Sequence, residues 1–219
     1  IALNFGSAES LMAADDYKSL FKAKKYAEIE RLTSQQLESQ PTDTSALIAK
    51  AEAILFSEDT TRIDQAVALS EQCVAAHPKK SDCHIILGTT LAAKALAAGK
   101  ISGLLLAGKI RQAYQQAVAL DGKNIEARLS LLRYYLIVPS IAGGGIEKAQ
   151  ELAQETLAIH AQAAQLMRGA ISLREKQLAA AEAAVLSASA PVGQVCTHCP
   201  QKVHCELRSS PLNSVVIWV

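Results

Sequence analysis

Cys196, His198, Cys199, His204 and Cys205, close to the C-terminal end, form the densest group of metal-ligating residues in the chain. Thiolate and imidazole are the ligands zinc takes, and Cys196 with Cys199 has the spacing of one zinc knuckle. A structural zinc draws four ligands from two separated pairs. Here Cys205 and a histidine would have to supply the second pair across a short loop, so free thiols or a local disulfide are the preferred reading and no metal or cofactor is expected. Pro200 stands where a haem-attachment motif places histidine, and no strand precedes Cys196 as a thioredoxin-like redox site requires.

Cys73 and Cys83 lie at equal sequence distances from Pro78. A turn at that proline could face them across antiparallel helices as a disulfide; the competing reading is two small residues buried at helix contacts. With five cysteines in the chain, at least one thiol stays free or pairs between chains. Gly143-Gly144-Gly145 precedes a helix and could offer backbone N–H groups to an anion. The Lys-Ser/Thr of a phosphate loop and the strand of a dinucleotide site are both missing, so a flexible turn is expected instead. His77, His84 and His160 fall at helix ends or in helical faces, with no Ser, Cys or carboxylate at triad-like spacing. No catalytic residue is expected, and no enzyme.

The elements that must carry these groups are helices. Half of the 219 residues are hydrophobic while aromatics make up only 4%, and alanine is abundant, which favours closely packed helices over a strand-rich sandwich. A formal charge of +1 lacks the footprint of a nucleic-acid binder. The longest apolar stretches, such as Ile101 to Gly108, are too short to span a bilayer. The chain starts at Ile1 with no initiator Met and no basic-then-apolar leader, which reads as a mature product or trimmed fragment.

Helical periodicity repeats in pairs. Tyr17, Leu20 and Phe21 mark one helix and Tyr26, Ile29, Leu32 and Leu37 the next; Ala46, Leu47, Ala51, Ile54 and Leu55 then line a face before Ile63 to Ala76. Ser81 opens a third pair with extra residues around Ala98 to Gly108. A fourth runs from Ile125 through the VPSIAGGG loop to about His160, and a shorter fifth occupies Ala164 to Pro191. Recurrence roughly every 34 to 44 residues marks a solenoid whose units bury their faces only against neighbours.

On these residues the chain resembles the tetratricopeptide-repeat family. Leu87, Gly88 and Leu91 match that family's first-helix positions, and Ala66, Ser70, Cys73 and Pro78 match the small residues and proline of its second helix. Ala117, Asp121 and Asn124 match its repeat ending, with Gly122 where proline is usual. The tryptophan position holds Leu47, His84 and Arg128, and the loops within the third and fourth pairs are longer than the family's. The long third unit followed by YYL, Pro and a Gly-rich loop is also similar to bacterial repeat proteins of undefined role. The resemblance implies an all-α, right-handed α-solenoid of about five helix pairs over residues 10–191, followed by a cysteine-containing, non-repeat tail over 192–219.

It further implies a scaffold that binds a protein or peptide partner in the concave groove lined by the first helices. In the family register, Lys18, Phe21, Glu52, Leu129 and Arg133 face that groove and are the expected partner-binding residues, in an apolar setting with scattered charge that suits a segment with apolar anchors. The alternative function is a metal or redox element in the Cys/His tail, carried by the solenoid. Self-association through the ends of the stack is a third possibility. Localisation leans to the bacterial periplasm or cell envelope over the cytoplasm.

Overall fold

The computed structural model describes residues 14–57 and 59–188, and every regular element among them is helical. The chain divides into two compact units, Ile1–Ala179 and Ala180–Val219; of the second only residues 180–188, all helical, are described. Among its described residues the first unit holds four helix pairs. They are α1 (Ala14–Lys22) with α2 (Tyr26–Ser39); α3 (Thr44–Phe56) with α4 (Ile63–Ala76); α5 (Ser81–Ala97), joined through the short α6 (Gly99–Leu104) to α7 (Ala107–Leu120); and α8 (Ile125–Ile137) with α9 (Ile146–Leu157).

A fifth repeat with its own second helix is expected from the sequence, yet α10 (Ala161–Ala188) runs as one helix of 28 residues. The reason is local. Residues 170–188 contain no Gly or Pro and are rich in Ala, Leu, Glu, Lys, Gln and Arg, all strong helix formers, so nothing stops the helix where a turn would fall. His160 starts it by accepting the Ala163 N–H on Nδ1 at 3.1 Å. The expected boundary at residues 191 and 192 lies outside the described residues.

Each second helix packs on the first helix of the next pair, α2 on α3, α4 on α5 and α7 on α8, and the first helices α1, α3, α5 and α8 also touch in succession. One turn geometry, used three times, makes this possible. At Gln40, His77 and Asp121 the N–H closes the preceding helix on the carbonyl four residues back, at 2.8, 2.8 and 3.1 Å. Three residues later Asp43, Lys80 and Asn124 bond back to those same residues' carbonyls at 3.0, 3.0 and 3.1 Å. Pro41, Pro78 and Gly122 sit next in each turn, where a proline cannot continue the helix. Asp43 and Asn124 then cap α3 and α8, accepting the N–H of Ala46 at 2.7 Å and of Ala127 at 3.1 Å.

Small residues set the spacing. Ala46, Ala51, Ala53, Ala66, Ala117, Ala127 and Ala149 are fully buried between helices. Gly88 of α5 marks a close approach between helices: a Cβ there would stand inside the ring of Tyr114 from α7. The largest core cluster joins the third and fourth pairs to the start of α10 through Tyr114, Leu131, Leu132, Tyr135, Leu152 and Met167. A smaller cluster of Tyr17, Ile29, Ala49 and Ala53 joins the first pair to α3, and Ala51, Ile54, Ala66 and Ile86 fill the space between the second and third pairs.

Of the two readings of Cys73 and Cys83, the disulfide is the one found. It joins the end of α4 to the start of α5 with Cα atoms 5.3 Å apart, fully buried beside Leu47. Among the described residues no helix is long and apolar enough to cross a membrane.

Candidate functional site

The glycine-rich connection between α8 and α9 is a built turn, where the sequence leads one to expect a flexible one. Gly143 and Gly145 take φ of 92° and 125°, which suits residues without a Cβ, and a Cβ at Gly144 would fall on the Val138 carbonyl. The N–H groups of Gly143, Gly144 and Gly145 donate to Ser140, Pro139 and Tyr135 carbonyls at 2.9, 3.1 and 2.8 Å. Tyr134 Oη donates to Ala142 O at 2.7 Å, and Lys148 Nζ to Gly143 O at 3.1 Å. The backbone donors an anion would need are therefore spent inside the turn.

The histidines are spent in the same way. His77 Nε2 donates to Thr42 O at 2.6 Å and His84 Nε2 to Pro78 O at 2.9 Å. Arg128, at the family's tryptophan position, is buried and ties three parts together: its Nε donates to Gly122 O at 2.7 Å, and its Nη1 lies 3.4 Å from Thr156 Oγ1 and 3.6 Å from Glu155 Oε2. No group of three or more His, Cys, Asp or Glu side chains among the described residues is placed to hold a metal ion. Cys196, His198, Cys199, His204 and Cys205 lie outside the described residues.

What remains is the layer of first helices, where charge gathers. Glu52 of α3 is partly buried, and among the described residues no hydrogen bond or ion pair reaches its carboxyl. Loss of water, followed by the negative charge of Glu126 on α8, pushes it up from 4.5 to about 7. Glu126 is itself raised, by loss of water first and by Asp82 of α5 second, while Arg133, about two turns along α8, pulls it down. Tyr114 reaches up from α7 beneath Gly88, and its hydroxyl lies 3.3 Å from Thr89 Oγ1. Burial raises this phenol, against the Thr89 hydrogen bond and the charge of Arg133. Glu52, Asp82, Thr89, Tyr114, Glu126 and Arg133 thus share one electrostatic neighbourhood contributed by three successive repeats.

Of the five residues expected at a partner site, Glu52 and Arg133 belong to this neighbourhood. Leu129 is partly buried and packs against the main core cluster. Lys18 is exposed on α1. Phe21 is partly buried in an aromatic group, 6.3 Å from the ring of Tyr26 and 5.8 Å from that of Phe56, so it serves the core of the first pair. Helical spacing alone makes Tyr114 one apolar position of α7 and nothing more. The signal that could have placed it is Gly88, because a glycine inside a helix marks a close approach from a neighbour.

No protein-family model matches the sequence, and no curated protein matches it. The fold is similar to the crystal structure of a thermophilic TPR protein from Thermus thermophilus, with a TM-score of 0.60 and 17% identity, covering 76% of this chain and 83% of that one. TPR denotes the tetratricopeptide repeat. The chain has that fold, an all-α solenoid of stacked helix pairs.

Proposed function

We propose that this chain is a non-enzymatic scaffold that binds a partner polypeptide along the face of its first helices. The observation that carries the reading is Glu52: a partly buried carboxyl, without a hydrogen-bond partner among the described residues, and facing the charge of Glu126 two pairs away. A partner segment that brings a donor to Glu52 would relieve that state. Ile48, Leu55 and Leu129 supply partly buried aliphatic surface on the same helices for apolar anchors. Lys18, Phe21, Glu52, Leu129 and Arg133 are the residues assigned to contact the partner, Phe21 through the exposed part of its ring. The Cys73–Cys83 disulfide supports an oxidising compartment, such as a bacterial periplasm or cell envelope.

The test is affinity capture from the native host with the full chain, followed by mass spectrometry of what is retained. Leu129→Asp with Arg133→Glu is expected to abolish capture while the helical circular dichroism spectrum is kept. Because Leu129 also touches the core, Glu52→Gln is run beside it as a variant that leaves packing intact. A partner retained equally by both variants would refute the assignment of this face.

A further inference from the structure

Polar side chains on the first-helix face divide into those held by neighbours and those left alone. Asp82 is held, because the Asn124 amide donates to its Oδ1 at 3.0 Å. Thr89 donates its hydroxyl to Ile85 O at 3.0 Å and lies 3.3 Å from Tyr114 Oη. Glu52, Glu126 and Arg133 are different: among the described residues no hydrogen bond or ion pair reaches any of the three. They nevertheless lie within each other's fields, since the charge of Glu126 acts on Glu52 and that of Arg133 on Glu126. Glu126 and Arg133 stay apart because α8 sets them about two turns, or about 10 Å, from each other along one face.

Water can serve Glu126 and Arg133, which are exposed. Glu52 is partly buried, and the charge that acts on it belongs to another carboxylate. Aliphatic surface separates the ions. Leu129 stands about one turn from Glu126 and one from Arg133, and Ile48 and Leu55 stand about one turn either side of Glu52, all partly buried. Between α3 and α8, α5 offers Thr89 at the corresponding position of its repeat, which carries no charge.

We propose that the segment bound on this face is a polypeptide of mixed charge: a Lys or Arg side chain between Glu52 and Glu126, an aliphatic side chain on Leu129, and a carboxylate meeting Arg133 about 10 Å along α8. This inference rests on the partner-binding reading above and gives that partner its chemistry. One cation between two carboxylates that repel removes the repulsion and supplies both with donors. A polyamine would leave Arg133 without an acceptor, and a nucleic-acid strand would set its phosphates against Glu52 and Glu126. A purely apolar segment would cover three ions and pair none of them, which desolvates charge without compensation. A segment carrying both signs satisfies all three.

Selection of a phage-displayed library of random short peptides on the immobilised full chain is the experiment, with the enriched sequences read in bulk. Lys and Arg are expected to rise several-fold over the unselected library, with Asp or Glu recurring at a fixed offset from them. Glu52→Gln with Glu126→Gln should erase the preference for Lys and Arg, and Arg133→Gln the preference for Asp and Glu. Folding is spared, because Glu126 and Arg133 are exposed and Glu52→Gln removes an unpaired carboxyl at constant shape. A photo-reactive copy of the most enriched peptide then shows where it sits. Crosslinks to α3, α5 or α8 without a preference for charge, or with one that the variants retain, overturn this inference and leave the partner face standing. Crosslinks elsewhere, or no enrichment above a blank surface, overturn both.

Discussion

Glu52 holds its proton in the folded protein up to about pH 7, whereas in the unfolded chain it releases it near the ordinary 4.5. Between those values the folded state binds more protons than the unfolded one, so stability falls as pH rises through the window and the full penalty is present above it. The interval corresponds to on the order of 3 kcal/mol. Glu52→Gln should therefore leave urea stability unchanged below pH 4.5 and raise it by up to that amount above pH 7, flattening the profile. A variant profile parallel to the wild type would show that Glu52 is an ordinary solvated carboxylate. Gly88 gives a second prediction at this scale. Alanine there gains about 1 kcal/mol of helix propensity but must displace the buried Tyr114 ring, an overpacking of about 1–3 kcal/mol. Gly88→Ala is expected to lower the urea midpoint, and Gly88→Ala with Tyr114→Leu to recover part of the loss; a rise in midpoint for the single variant would contradict the contact.

Among the elements, the turn between α8 and α9 is the one whose order is hardest to see in the sequence and easiest to break. Gly144→Ala sets a methyl group on the Val138 carbonyl, and backbone cannot step aside as a side chain tip can. A loss of about 2–3 kcal/mol is expected, with faster amide exchange at Gly143 and Gly145 ahead of the helices they join. The same loss with Gly108→Ala, where a Cβ meets nothing within 4 Å, would argue against a local cause. Helices and their ends are legible in the sequence because they follow from local rules: Asp43 and Asn124 are capping residues, Pro41, Pro78 and Gly122 are stops, and the apolar spacing sets the buried faces. The glycine turn reads as flexible because its hydrogen bonds go to Tyr135, Pro139 and Ser140, and a run of glycines looks alike whether it is ordered or not. For α10, repeat spacing suggests a break that no residue in the segment enforces. At the candidate site, register places Glu52 and Arg133 on one face, while the charge of Glu126 on Glu52 depends on distances between repeats that no single-chain pattern carries.

Stability at the scale of the stack is a sum over repeats and the interfaces between neighbours, so one interface can fail while the rest hold. The core is unevenly shared. Its largest cluster binds the third and fourth pairs and the start of α10 into one body, while the first and second pairs rely on smaller clusters and on the junction of α4 with α5. The Cys73–Cys83 disulfide sits at that junction, beside the buried Ser70–Thr90 hydrogen bond of 2.8 Å. Closing a loop between residues separated by 10 positions contributes about 2–3 kcal/mol on a chain-entropy account. Reduction should therefore act on part of the molecule. Hydrogen exchange followed with and without reductant is expected to show α1 to α4 losing protection together, while α7, α8 and α9 keep theirs, and Cys73→Ala with Cys83→Ala should reproduce the pattern in the absence of reductant. Uniform loss along the described helices would mean that the stack unfolds as one cooperative body and that the disulfide stabilises all of it equally.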